Sequence, residues 1–196
     1  MNRRKRAFST GTMVLGAILT AMVVMLQLLA TFTTFFGPFS AALALIPIII
    51  GASTCGSKIS TWLGLVFGTV VLLSGNATFF MQYDITGTII TVLAKGMACG
   101  LAAGLVHTAL KRHSQTAASI AAALVCPIVN TGVFLLGGYA FFMDDASSIA
   151  INAGLGNISG FAVFWALAMA NFLFEIGMNL VLCPVITRIL SLRKKA

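Results

Sequence analysis

Six apolar runs, at about residues 12–36, 39–54, 61–74, 85–110, 117–142 and 158–190, leave almost no chain for a water-facing surface. A helix needs about 20 apolar residues to cross a bilayer, and most of these runs reach that length. Their residues are continuously apolar, without the strict alternation of a membrane barrel strand. Only 8% of the 196 residues are charged, against roughly a quarter in a soluble domain. The sequence therefore predicts an all-α fold, an integral membrane bundle of six transmembrane helices forming one domain over 1–196. The runs at 39–54 and 61–74 are short, so tilt or burial within protein is expected there. The first run follows a basic start, but it is too long for the core of a signal peptide and is read as a span. Gly37-Pro38 separates it from the second run, and the stretch 51–60 (GASTCGSKIS) is read as the turn into the third.

The charges supply an orientation. With six spans, Arg3, Arg4, Lys5, Arg6, Lys58, Lys111, Arg112, Arg188, Arg193, Lys194 and Lys195 fall on one side, which is 11 of the 12 basic residues. Asp84, Asp144 and Asp145 fall on the other. Lys and Arg in short loops stay in the cytoplasm, so both termini are expected to be cytoplasmic. The net charge of +8 is then a topology signal and not a nucleic-acid footprint. A multi-pass protein of a bacterial plasma membrane is the expected setting.

Several motifs fail on their own chemistry. Gly51-Ala-Ser-Thr-Cys-Gly56-Ser57-Lys58 resembles a phosphate loop, but Ser57 stands where the lysine is needed and no strand precedes it. His107 and His113 have no carboxylate at helical spacing, so neither a metal site nor a catalytic dyad is expected. His107 is read as a packing residue. Cys55, Cys99, Cys126 and Cys183 stand singly in apolar surroundings and read as small buried groups. Ser159 sits in a Gly-Asn-Ile-Ser-Gly turn without a histidine on its side of the membrane. No enzyme, metal or cofactor is expected.

What remains is polar groups at membrane depth, which are costly unless they face protein or a wet cavity. Asn171, Glu175 and Asn179 recur at four-residue spacing in the last run and so share one helix face. Gln27, Lys95 and Asn130 lie in the first, fourth and fifth runs. Lys95, ten residues into its run, would sit about 15 Å from the end nearer Ile85. Lys95 and Glu175 could pair with each other or each meet a polar ligand; the sequence leaves both open. The Asn–Glu–Asn seam could equally be interhelical glue.

Other passages carry a resemblance. Gly16 with Ala17-Ile-Leu-Thr-Ala21, Ile46-Pro-Ile-Ile-Ile-Gly51, Gly64-Leu-Val-Phe-Gly68, Lys95-Gly-Met-Ala-Cys-Gly-Leu-Ala-Ala-Gly104, Cys126-Pro-Ile-Val-Asn130 and Leu182-Cys-Pro184 resemble the substrate-binding S components of energy-coupling factor (ECF) vitamin transporters. The resemblance extends over nearly the whole chain. It implies a binding subunit that captures a vitamin-like micronutrient from outside, in a pocket of the fourth to sixth spans closed by the 1–2 and 3–4 loops. It implies docking on a membrane-embedded coupling subunit with two ATPases, through Gly16, Ala17 and Ala21. The implied substrate residues are Lys95, Asn130, Asn171, Glu175 and Gln27, with Phe39 and Tyr83 from the two loops. Phe35, Phe36, Phe79 and Phe80 in the same loops suit a flat or ring-bearing ligand. The uncharged stretch 33–39 departs from the riboflavin members, which carry charged residues there. The rival readings are a stand-alone secondary transporter using Glu175 as a proton site, and a membrane scaffold without transport.

Overall fold

The computed structural model describes residues 10–33, 41–156, 158 and 160–193; within its helix, Asn171 is described without its side chain. Among the described residues eight helices follow in order: α1 (Thr10–Thr33), α2 (Ala41–Thr54), α3 (Ser57–Leu73), α4 (Thr78–Met81), α5 (Ile85–Leu110), α6 (Gln115–Phe141), α7 (Ala146–Asn152) and α8 (Ala162–Arg193). No strand occurs among the described residues. Among those residues α1, α5 and α6 are long and apolar enough to cross a membrane. Their outward faces are apolar too: Met13, Ile18, Met22 and Met25 of α1, Leu101 and Leu105 of α5, and Leu136 of α6 are exposed. A bundle with this exterior is solvated by lipid, not by water.

The short α2 is the centre of the bundle. Ala44, Leu45, Ile48, Ile49 and Ala52 are each no more than 1% exposed, and α1, α3, α5, α6 and α8 all pack on the helix. Fourteen residues rise only about 21 Å, less than a hydrocarbon core. Packing against five other helices removes the need for α2 to match the bilayer.

Helices α3 and α5 run antiparallel at backbone contact. A Cβ on Gly64 would run into the Gly96 carbonyl, one on Gly100 into the Ser60 carbonyl, and one on Gly104 into Ser57. Glycines at these positions let two helices approach until backbones touch, which is how helices associate where lipid removes the hydrophobic drive. The same contact explains a departure from the sequence reading. Most of the stretch 51–60 is helical, and the turn shrinks to Cys55 and Gly56, where Gly56 takes φ 87°. Ser57 and Ser60 look like loop residues, yet they form the first turn of α3 because the glycine face of α5 accepts them.

Two short helices occupy stretches expected to be loops. α4 lies between α3 and α5, and α7 between α6 and α8, at the same end of the bundle. A second apolar cluster, Phe142, Ala146, Ile149, Ala150, Val163 and Phe164, binds α7 to the tops of α6 and α8, with Phe79, Phe80 and Tyr83 packed against it. The opposite end carries Lys58, Lys111 and Arg112, next to the ends of α3, α5 and α6.

Candidate functional site

The candidate site lies where α5, α6 and α8 meet beneath α4. α5 presents Lys95, which is deep in the bundle yet half-buried because it borders a cavity. Asn130, Thr131 and Phe134 of α6 form the facing wall, Leu167 and Ala168 of α8 a third, and Asn76, Phe79 and Phe80 the roof. The cavity measures about 300 Å³ and continues into a side chamber of about 80 Å³. Asn76, Phe80, Lys95 and Phe134 border both spaces, while Thr88, Thr91 and Phe142 belong to the side chamber alone. Lys95 therefore stands at the junction. Its Nζ lies 5.7 Å from the centre of the Phe134 ring, a cation–π distance that offsets part of the cost of a charge at this depth.

Behind the cavity wall sits Glu175, with no exposed surface. Nδ2 of Asn130, itself 3% exposed, donates to both Glu175 oxygens at 3.3 and 3.4 Å. These are long bonds, but the acceptor is a carboxylate, which strengthens them. Lys95 is also within the field of the Glu175 charge. The helical spacing thus brings Lys95, Asn130 and Glu175 together from three helices. Lys95 and Asn130 line the cavity; Glu175 backs Asn130.

The other sequence candidates are placed differently. Gln27 is buried at 2% exposure in α1, with Oε1 lacking a partner among the described residues, and it is not among the described residues lining the cavity. Asn179, one turn from Glu175, is fully buried, and neither amide atom has a partner among the described residues. Tyr83 stands above the cavity as part of a clasp: its hydroxyl accepts from Asn152 Nδ2 at 2.6 Å and donates to the Ser148 carbonyl at 3.4 Å. The side chain of Asn171 and the whole of Phe35, Phe36 and Phe39 lie outside the described residues. On α1, Ala17 and Ala21 are exposed, whereas Gly16 is buried against Ile59 of α3. His107 is buried beside Gln115, with 3.3 Å between their side-chain nitrogens, the packing role expected of it.

Sequence reasoning missed Thr131, Phe134, Leu167 and Ala168 inside their apolar runs, and it missed Asn76 in the loop after α3. Asn76 follows Gly75, whose φ of 82° turns the chain from α3 toward α4. Its Nδ2 donates to Thr31 Oγ of α1 at 2.9 Å and to Ser74 Oγ at 3.2 Å. A Gly-Asn pair reads as a turn and nothing more. The one signal available was its place in the same loop as Phe79 and Phe80.

Three helices that enclose a small chamber with three phenylalanines and, among the described residues, one cation describe a small-molecule pocket inside a membrane bundle. Over residues 11–187 the chain matches the family of ECF transporter substrate-specific components. It belongs to that family. No characterised protein and no solved structure matches the chain significantly. As a substrate-specific component, the protein is a multi-pass membrane subunit of a transport system that handles a small-molecule substrate. Transport subunits of this kind bind their substrate without converting it.

Proposed function

We propose that this substrate-specific component captures a vitamin-like micronutrient in the Lys95–Asn130 cavity and delivers it through a membrane-embedded coupling subunit powered by two ATPases. The single observation that carries this reading is that one cavity is bordered by the Lys95 ammonium, the Asn130 amide and the rings of Phe79, Phe80 and Phe134. Apolar and aromatic walls with a few placed polar groups are what a small ligand needs, and about 300 Å³ is at the lower end of such sites. A ring fits among the phenylalanines, and its carboxylate or phosphate meets Lys95. Capture occurs from outside, at the end bearing Asp84, Asp144 and Asp145; the basic end and both termini face the cytoplasm of a bacterial cell, with six spans between.

Glu175 serves this site as a positioning residue. Its full burial behind Asn130 favours that role over the proton carrier of a stand-alone transporter. Docking falls to the exposed Ala17 and Ala21, small side chains that allow a partner helix to approach closely; Gly16 supports the same helix from its inner face.

Native mass spectrometry of the purified protein tests the reading directly. A small molecule is expected to co-purify with the wild-type chain and to be lost from Lys95→Met. A protein that carries no small molecule, and takes none up when cells supply the ATPases, overturns the capture role.

A further inference from the structure

Asn76 donates its NH₂ to two hydroxyls, each of which has a main-chain carbonyl of its own to donate to. Thr31 Oγ donates to the Gln27 carbonyl at 3.1 Å, and Ser74 Oγ donates to the Val71 carbonyl at 3.3 Å. A main-chain carbonyl can only accept. Each hydroxyl can therefore present a lone pair to Asn76, whose NH₂ group is turned toward both. What Asn76 keeps for the cavity is its carbonyl oxygen, which has no hydrogen-bond partner among the described residues. Asn130 differs: its NH₂ is spent on Glu175, an acceptor-only carboxylate, and its Oδ1, which has no hydrogen-bond partner among the described residues, is itself buried without accessible surface. Asn76 is thus the amide that can offer an acceptor to the cavity, with Lys95 the one cation among the described residues that border it.

We propose that Asn76 is a specificity-determining residue of this cavity, held by Thr31 and Ser74 so that it selects ring-bearing anions that present an N–H or O–H donor over anions whose matching group only accepts. The inference rests on the capture reading and names the substrate class for it. The anionic group meets Lys95, and the donor meets an amide oxygen. A ligand that replaces the donor by a methylated atom leaves that oxygen unpaired, and sites built around hydrogen bonds reject such analogues strongly. Asn76 bonds to α1 while bordering the cavity, so it reads the ligand from a position anchored on another helix.

The test uses matched carboxylates on the full chain, purified in detergent and dialysed to empty the cavity. The pairs are 4-hydroxybenzoate with 4-methoxybenzoate, and indole-3-acetate with 1-methylindole-3-acetate, measured by calorimetry. 3-Methyl-4-hydroxybenzoate is as large as the methoxy compound but keeps its O–H, which separates size from donor. The donor member of each pair is expected to bind at least tenfold tighter, with the size control tracking the donors. In Thr31→Val the amide loses one of its locks, and the preference is expected to shrink to less than threefold. Equal binding of methylated and donor members to the wild type overturns the proposal, as does a preference unchanged in well-folded Thr31→Val. If Thr31→Val fails to fold, the wild-type comparison decides alone. Native mass spectrometry of the same preparation keeps two failures apart. A co-purified small molecule with no binding by any probe overturns the substrate class and leaves capture standing; neither one nor the other removes capture and this inference together.

Discussion

At the scale of single residues, the membrane makes polar side chains conspicuous. Lys95, Asn130 and Glu175 could be found in the sequence because each breaks an apolar run where an unmatched polar group is costly, and the fold brings all three together. Asn76 and Thr31 could not. They lie 45 residues apart, one in a loop and one at a helix end, where polar residues need no explanation. Lys95→Met keeps the length of the stem and removes the charge. Losing one charge-assisted hydrogen bond of about 1.5–3 kcal/mol predicts roughly 10- to 100-fold weaker ligand binding, checked by calorimetry with the co-purified molecule once identified; unchanged affinity would take Lys95 out of the site. Glu175→Gln should act more mildly. It keeps a neutral partner for Asn130, so expression holds while affinity falls about three- to tenfold, the loss of about 0.6–1.4 kcal/mol of amide positioning. Affinity equal to wild type would reduce Glu175 to packing.

At the scale of elements, hydropathy located the long helices well. The fourth run, 85–110, coincides with α5, and 117–142 differs from α6 by at most two residues. Hydropathy was blind to α4 and α7, whose few residues carry no periodic signal, and it misplaced the start of α3. The reason is packing: Ser57 and Ser60 are helical because the glycine face of α5 has room for them. Gly100→Leu tests that contact. The obstacle is the Ser60 carbonyl, backbone that cannot rotate away, so the penalty belongs at the upper end of overpacking, about 3 kcal/mol or more. A sharp fall in Tm and in detergent-soluble yield is expected; a wild-type Tm would mean that α3 and α5 do not meet at backbone distance. The α4–α7 clasp has a kinetic signature instead. Tyr83→Phe removes the hydroxyl that joins Asn152 to the Ser148 carbonyl without touching the cavity lining. Dissociation of bound ligand should speed up about fivefold or more, from the loss of about 1 kcal/mol of hydrogen bonding across the roof, with Tm little changed. A dissociation rate equal to that of wild type would leave the clasp without a role in closure.

For the whole molecule, the division of α1 into two faces decides how the subunit would work with others. One face is spent internally: Leu19, Val23, Gln27 and Ala30 are buried, and Gly16 rests on Ile59. The other face exposes Met13, Val14, Ile18 and Met22, with Ala17 and Ala21 among them as the positions where a neighbouring helix could come closest. Nothing on that face reaches the cavity, yet the same helix carries Thr31, which anchors Asn76 beside it. Binding and docking are therefore separable by mutation while sharing one helix. Ala17→Trp places a large ring on the outward face, where lipid accommodates it and a closely packed partner helix does not. Calorimetry on the purified variant should give a ligand affinity within twofold of wild type. Uptake by cells that also supply the coupling subunit and ATPases should fall at least tenfold. Normal uptake by this variant would move the docking surface off Ala17, whereas lost affinity would mean that the outward face of α1 shapes the cavity after all.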